Sequence, residues 1–136
     1  MKELLFGGAR FNSLSGDFGL LVLRVFAGLS LALAHGLGKI PPSPQFQSSV
    51  ESLGFPAQMA WLSAAAETVG GVGLAAGLAT RVMGLIIAGN LSVVAFLQHA
   101  NDPYGRKELA LLFLATAICF LFTGGGRFSL DRIIKR

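Results

Sequence analysis

The run FGLLVLRVFAGLSLALAHGL, residues 18–37, is almost unbroken in apolar character and holds one full charge, Arg24, well inside it. About 20 helical residues, each rising ~1.5 Å, cross a hydrocarbon core ~30 Å thick, so the stretch predicts a membrane-spanning helix. A charge at that depth costs roughly 3 kcal/mol on insertion scales and is kept where it faces a bundle interior, a partner or a water-filled path. Three further apolar runs follow, at 56–78, 82–97 and 109–122, and the second carries Glu67 near its middle. The last two runs are short, but Arg106, Lys107 and Glu108 can snorkel to the interface, which extends the fourth span to 107–122. The expected fold is all-α, a polytopic membrane protein built as a four-transmembrane-helix bundle. It forms a single domain, 1–136, with tails at 1–17 and 123–136.

The composition agrees, with 53% hydrophobic residues against 13% charged in 136 residues, where soluble domains carry about 25% charged. The net charge of +4 comes from residues between the apolar runs, with no basic stripe interleaved with aromatics, so nucleic acid is not an expected partner. Cys119 is the single cysteine, which excludes an internal disulfide and dithiol exchange. Ala32-Leu33-Ala34 resembles a signal-cleavage site, yet Arg24, the long leading segment and the later spans predict a retained helix.

Lys2, Arg10, Arg81, Arg127, Arg132, Lys135 and Arg136 fall on one side of the spans, and Lys39, Arg106 and Lys107 on the other. Seven against three places both termini in the cytoplasm by the positive-inside rule. In the connection after the first span, Pro41-Pro42 breaks the helix, Ser43 suits an N-cap and Pro44 a first helical position. Phe46, Val50 and Leu53 then recur at helical spacing up to Gly54, which predicts a short amphipathic helix on the outer surface between spans 1 and 2. Ser129 is placed to cap a brief terminal helix, with Leu130, Ile133 and Ile134 toward lipid, as a membrane anchor. Gly28, Ala32, Gly36, Gly73, Gly77, Gly84 and Ala88 have the small-x-x-x-small spacing that permits close helix crossings. Gly70-Gly71 and Gly124-Gly125-Gly126 follow no strand and lack the Lys-Ser/Thr of a phosphate loop.

The polar residues within the spans carry the functional reading. Arg24 and His35 are eleven residues apart, about three turns, so they share one face of an α-helix. Arg24 is expected to reach and neutralise Glu67, as a structural pair that fixes register or as part of a proton or ligand site. His35, His99 and Glu108 gather at the outer ends of three spans, giving a pocket that opens outward above a charge pair. Each residue also has a plainer role open to it. Asn90 serves as an interhelix donor, His99 lies in a solvated loop, and His35 caps its helix. Two histidines at similar depth would suit haem, and three ligands a metal, but the sequence adds nothing to either, so no metal, haem or flavin is expected.

Taken in order, Arg24, His35-Gly36 with Lys39, Gly54-Phe55-Pro56, Glu67 before Gly70-Gly71, Gly77-Leu78-Ala79-Thr80-Arg81, His99, Glu108 and Gly126-Arg127-Phe128-Ser129-Leu130-Asp131 resemble the DoxX family of small four-helix membrane proteins. The resemblance covers nearly everything after residue 17. It implies a bacterial inner-membrane protein of the DoxX/DoxD type, some members of which are associated with quinone reduction coupled to thiosulfate oxidation or with oxidative-stress complexes. Carried over by position, its polar residues are Arg24, His35, Lys39, Glu67, His99 and Glu108. Quinone reduction needs an apolar slot, donors to both carbonyls and a route for two protons. Glu67, Arg24 and Glu108 are the candidate catalytic residues; Arg24, His35, Lys39, Glu67, Asn90 and His99 are the candidate ligand contacts. With no flavin, nicotinamide or iron–sulfur signature, electrons have to come from a redox protein partner. The chain is therefore expected to be a quinone-interacting subunit that is not self-sufficient, in contact with the lipid bilayer and with a homo-oligomer left open. The alternatives are a scaffold or chaperone that holds a partner protein, and a small-solute or proton conduit.

Overall fold

The computed structural model describes residues 13–135, and among them only helices and their connections occur. Lys2, Arg10 and Arg136, used in the count of positive charges, lie outside the described residues. Helix α1 (Leu14–Leu29) starts four residues earlier than the apolar run, because the Ser13 hydroxyl accepts the Gly16 N–H at 3.2 Å. It continues through a π-helical segment, Ser30–Gly36, and a 3₁₀ turn, Leu37–Lys39. Helix α2 (Pro44–Ser52) is the expected short helix, capped by Ser43 with Pro44 opening its first turn, and Gly54 at φ +87 ends the connection.

Helix α3 (Met59–Ala76) begins later than expected, since Pro56, Ala57 and Gln58 accept the first bonds as a turn. Gly77, at φ +71, closes it in the left-handed conformation that glycine adopts without penalty. Helix α4 (Thr80–Val93) runs into a second π segment, Val94–Gln98. Helix α5 (Tyr104–Thr123) is followed by a glycine-rich turn and α6 (Leu130–Ile134).

The helices alternate in direction. α1 crosses α3 so closely that a Cβ on Gly28 would lie 2.5 Å from the Gly71 carbonyl oxygen, and one on Gly71 would lie 2.6 Å from that of Gly28. Further along, Gly36 meets Thr68 equally closely. α4 packs most extensively on α5, with Gly84 against the backbone of Ala117 and Leu121. The core is Leu31, Leu74, Ile87, Ala88, Leu91, Leu114, Ala117 and Phe120, while Phe26, Leu33, Leu62, Leu85, Phe96 and Phe122 point outward. Small residues at crossings and large apolar ones outside suit a chain whose solvent is lipid. Three helical stretches, Leu14–Lys39, Met59–Ala76 and Thr80–Gln98, are long and apolar enough to cross a membrane. α5 has 20 residues, but Arg106, Lys107 and Glu108 crowd its beginning.

Candidate functional site

The expected pair between Arg24 and Glu67 is not formed. Each charge has other partners, and they sit at opposite ends of the α1–α3 crossing. Arg24 lies at the level of Leu74, whose carbonyl accepts from Nη1 at 3.4 Å, and its Nη2 donates to the Phe128 carbonyl at 2.8 Å. Leu74 lies seven residues beyond Glu67 on the same helix, a rise of about 10 Å. Side-chain direction widens the gap. Helical Cα–Cβ bonds tilt toward the helix N-terminus, so on antiparallel α1 and α3 the two side chains lean apart.

Arg24 instead organises the end of the molecule that holds Asp17 and the C-terminal segment. Asp131, 3% exposed, accepts the Ala79 N–H at 2.6 Å and the Thr80 N–H at 2.8 Å, while its own N–H donates to the Gly77 carbonyl. It thereby caps α4, whose start has no capping side chain of its own and whose Ala79 stands at φ +46. Asp131 is also the counter-charge acting on Arg24. Asp17 accepts the Arg127 N–H at 3.2 Å. The terminal helix is thus clamped into the bundle and is more than an anchor, although Leu130, Ile133 and Ile134 are exposed as expected. Ser129 stands at the N-cap of α6 without capping it; its hydroxyl donates to the Gly126 carbonyl.

The second polar centre is built at the other end. Lys39 Nζ donates to both carboxylate oxygens of Glu67, at 2.8 and 2.7 Å, and Asn90 Nδ2 donates to Oε1 at 3.2 Å. The Glu67 side chain is 3% exposed and that of Lys39 32%, so a buried anion is neutralised by a cation that still reaches the outside. Above them lies a cavity of about 190 Å³, its polar walls made by His35, Lys39, Glu67, Gln98, His99 and Arg106 and its apolar floor by Leu31, Leu91 and Phe113. His35 packs edge-on against Phe113, with ring centroids 5.7 Å apart. His99 Nδ1 lies 2.7 Å from an Asp102 carboxylate oxygen. That hydrogen bond holds the Asp102 carboxyl below the usual carboxylate range, against a smaller opposing effect of desolvation and with further help from Arg106. Both π segments end at this cavity, supplying Leu31 and His35 from one and Val94 and Gln98 from the other. π-helical turns widen the helix locally and recur at functional sites.

The structure therefore brings together five of the sequence-derived residues, His35, Lys39, Glu67, Asn90 and His99. Glu108 is exposed just beyond the first turn of α5 and lines none of the cavity, and Arg24 belongs to the other centre. Gln98 and Arg106 line the cavity and were not singled out for it from the sequence; Gln98 ends a π segment, whose wider turn α-helical counting does not anticipate. Asp131 was missed as a cap. The signal was present in Leu78-Ala79-Thr80-Arg81, a helix start with no Ser, Asp or Asn ahead of it. No group of three metal-ligating side chains occurs among the described residues.

A sequence model of DoxX matches residues 19–100, more than half of the chain and, apart from the first turn of α1, the α1–α3–α4 unit that holds Glu67. The chain belongs to the DoxX family. It is similar to "Putative oxidoreductase CatD" of Bacillus subtilis (strain 168), 34% identical over 121 residues, which cover 88% of this chain and 90% of that protein. No solved structure matches it. Family and apolar helices together make it a membrane protein.

Proposed function

We propose that this DoxX protein is the quinone-interacting subunit of a membrane oxidoreductase, with the quinone head in the Glu67 cavity. The observation that carries the proposal is a buried carboxylate, shared by an ammonium and an amide, on the wall of a small cavity between apolar helices. The cavity holds about six waters by liquid volume and lies below the roughly 300–1,000 Å³ of drug-sized sites, which suits a single carbonyl-bearing ring. Lys39 and either His35 or His99 donate hydrogen bonds to the two carbonyls. Glu67 passes protons between the ring and the cavity mouth beside Arg106. Quinone takes up two electrons and two protons to become quinol; the electrons come from a redox protein partner and the protons from water by way of these residues. The name of the Bacillus relative supports the oxidoreductase class.

In this reading α5 is the fourth span, with Arg106, Lys107 and Glu108 at the interface and both termini in the cytoplasm of the bacterial inner membrane. Trp61 and Tyr104, both exposed at the cavity end, then form part of the aromatic belt. The test is to purify the protein in mild detergent and quantify quinone in a solvent extract, against Glu67→Gln and Lys39→Ala preparations. Near-stoichiometric quinone that both variants lose is the expected result. Quinone-free wild-type protein would move the assignment to a scaffold or a conduit, and Glu67-dependent flux in proteoliposomes would separate those two.

A further inference from the structure

Beside the polar cavity lies a second space, about 500 Å³, between α2, α3 and α4. Its walls are almost wholly apolar, with Phe46 and Val50 from α2, Met59 and Leu62 from α3, and Ile86 and Val93 from α4. Met59, Leu62 and Ile86 are each more than 40% exposed, so this groove opens sideways between α3 and α4, toward lipid. Its polar lining is Ser63, Asn90 and Gln98, and the last two are at its junction with the cavity. Val94 and Gln98 line both spaces, and Asn90, which lines the groove, donates to Glu67. Lys39 completes the junction: its ammonium lies 5.3 Å from the ring centroid of Phe46 in the groove wall while it pairs with Glu67 in the cavity wall.

A polar chamber that joins an apolar, laterally open groove is the shape of an amphiphile with a compact head and a long chain. We infer that the groove under α2 is the subsite for the isoprenoid chain of the quinone and its path of entry from the bilayer. This deepens the quinone reading and rests on it. The head sits against Lys39 and Glu67, the chain passes Asn90 and Val94, and α2 roofs the first part of the chain. The ammonium over Phe46 couples the position of α2 to occupancy of the cavity, because a carbonyl that draws Lys39 inward weakens its hold on the roof.

Gly89 gives a clean way to close the groove. It lines the space, and a Cβ added there meets nothing within 4 Å, so a side chain can start from this wall of the groove without a clash. The experiment measures binding of two probes to the whole protein in nanodiscs: tail-less duroquinone, and a trimethylbenzoquinone carrying a diprenyl chain. Wild-type protein is expected to bind the prenylated probe about tenfold tighter or more, since burial of apolar carbons adds affinity. Gly89→Phe and Gly89→Leu are expected to abolish that advantage and leave duroquinone affinity unchanged, which also reports that the variants fold. A tail advantage that survives both substitutions, or that wild-type protein lacks, overturns the subsite while the cavity reading stands. If a phospholipid that co-purifies with wild-type protein is displaced by Gly89→Phe and no tail advantage exists, the groove belongs to bilayer lipid and the inference also falls. If neither probe binds wild-type protein, the quinone reading falls, and the inference with it.

Discussion

The two buried charges of this chain differ in what surrounds them. Arg24, 1% exposed, is held by backbone carbonyls of α3 and of the C-terminal segment, with Asp131 locked to backbone N–H groups nearby. Glu67 is held by side chains, one of them a lysine about a third exposed, and it borders a cavity. The first arrangement commits both Nη groups of Arg24 to backbone carbonyls and leaves Arg24 Nε and the Thr80 hydroxyl without a hydrogen-bond partner among the described residues. The second is held by side chains with rotatable bonds, and it adjoins a cavity. On the proposed reading, partner type and adjoining space, and not burial of charge alone, distinguish the structural centre from the ligand site.

The comparison breaks most visibly at Arg24. Arg24→Ala leaves the Phe128 carbonyl without its side-chain donor and Asp131 without its counter-charge, while the Leu74 carbonyl keeps the Gly77 N–H, and is expected to cost about 3–5 kcal/mol, read as a large fall in the thermal unfolding midpoint in detergent. At the other centre, Glu67→Gln keeps shape and hydrogen bonding to Asn90. It is expected to leave the midpoint within a few degrees of wild type while lowering quinone-dependent turnover at least about a hundredfold. Unaltered turnover would contradict its role. Asp131→Ala removes the cap on α4 together with the counter-charge of buried Arg24, at an expected cost of about 3 kcal/mol, with quinone affinity retained in binding assays.

The smallest effect is expected at Asp102. Its folded pKa lies below the ordinary value of 3.8, mainly through the His99 hydrogen bond. The resulting stability is present above that value and fades as pH falls through the folded pKa. Asp102→Asn should therefore shift the unfolding midpoint slightly near neutral pH and not at all at the acid end; an effect confined to acid pH would reverse the assignment.

Much of this was legible in the sequence, and the failures have physical causes. The apolar runs, Ser43-Pro44 and the glycine spacing predicted the helices and their crossings because those signals are local. The residues of the cavity were legible as well, since His35, Lys39, Glu67 and His99 stand out in apolar surroundings. Their pairing was not. Distance along a helix suggested that Arg24 reaches Glu67, but the direction of the side chains on antiparallel helices sends them apart, and Lys39, beyond the end of the apolar run, is the partner. The start of α4 shows locally that a cap is wanting, but the residue that supplies it, Asp131, is 51 residues from Thr80, a separation that no local pattern spans. The π segments gave no sequence signal, yet they set which residues face the cavity.

The most direct test of the division between a structural and a ligand-binding centre is the shift in unfolding midpoint on adding duroquinone, measured for wild type, Asp131→Ala and Glu67→Gln. A ligand that binds only the folded state raises the midpoint. The account predicts that Asp131→Ala starts lower and keeps the shift, while Glu67→Gln starts near wild type and loses it. A shift lost in Asp131→Ala and kept in Glu67→Gln would contradict it.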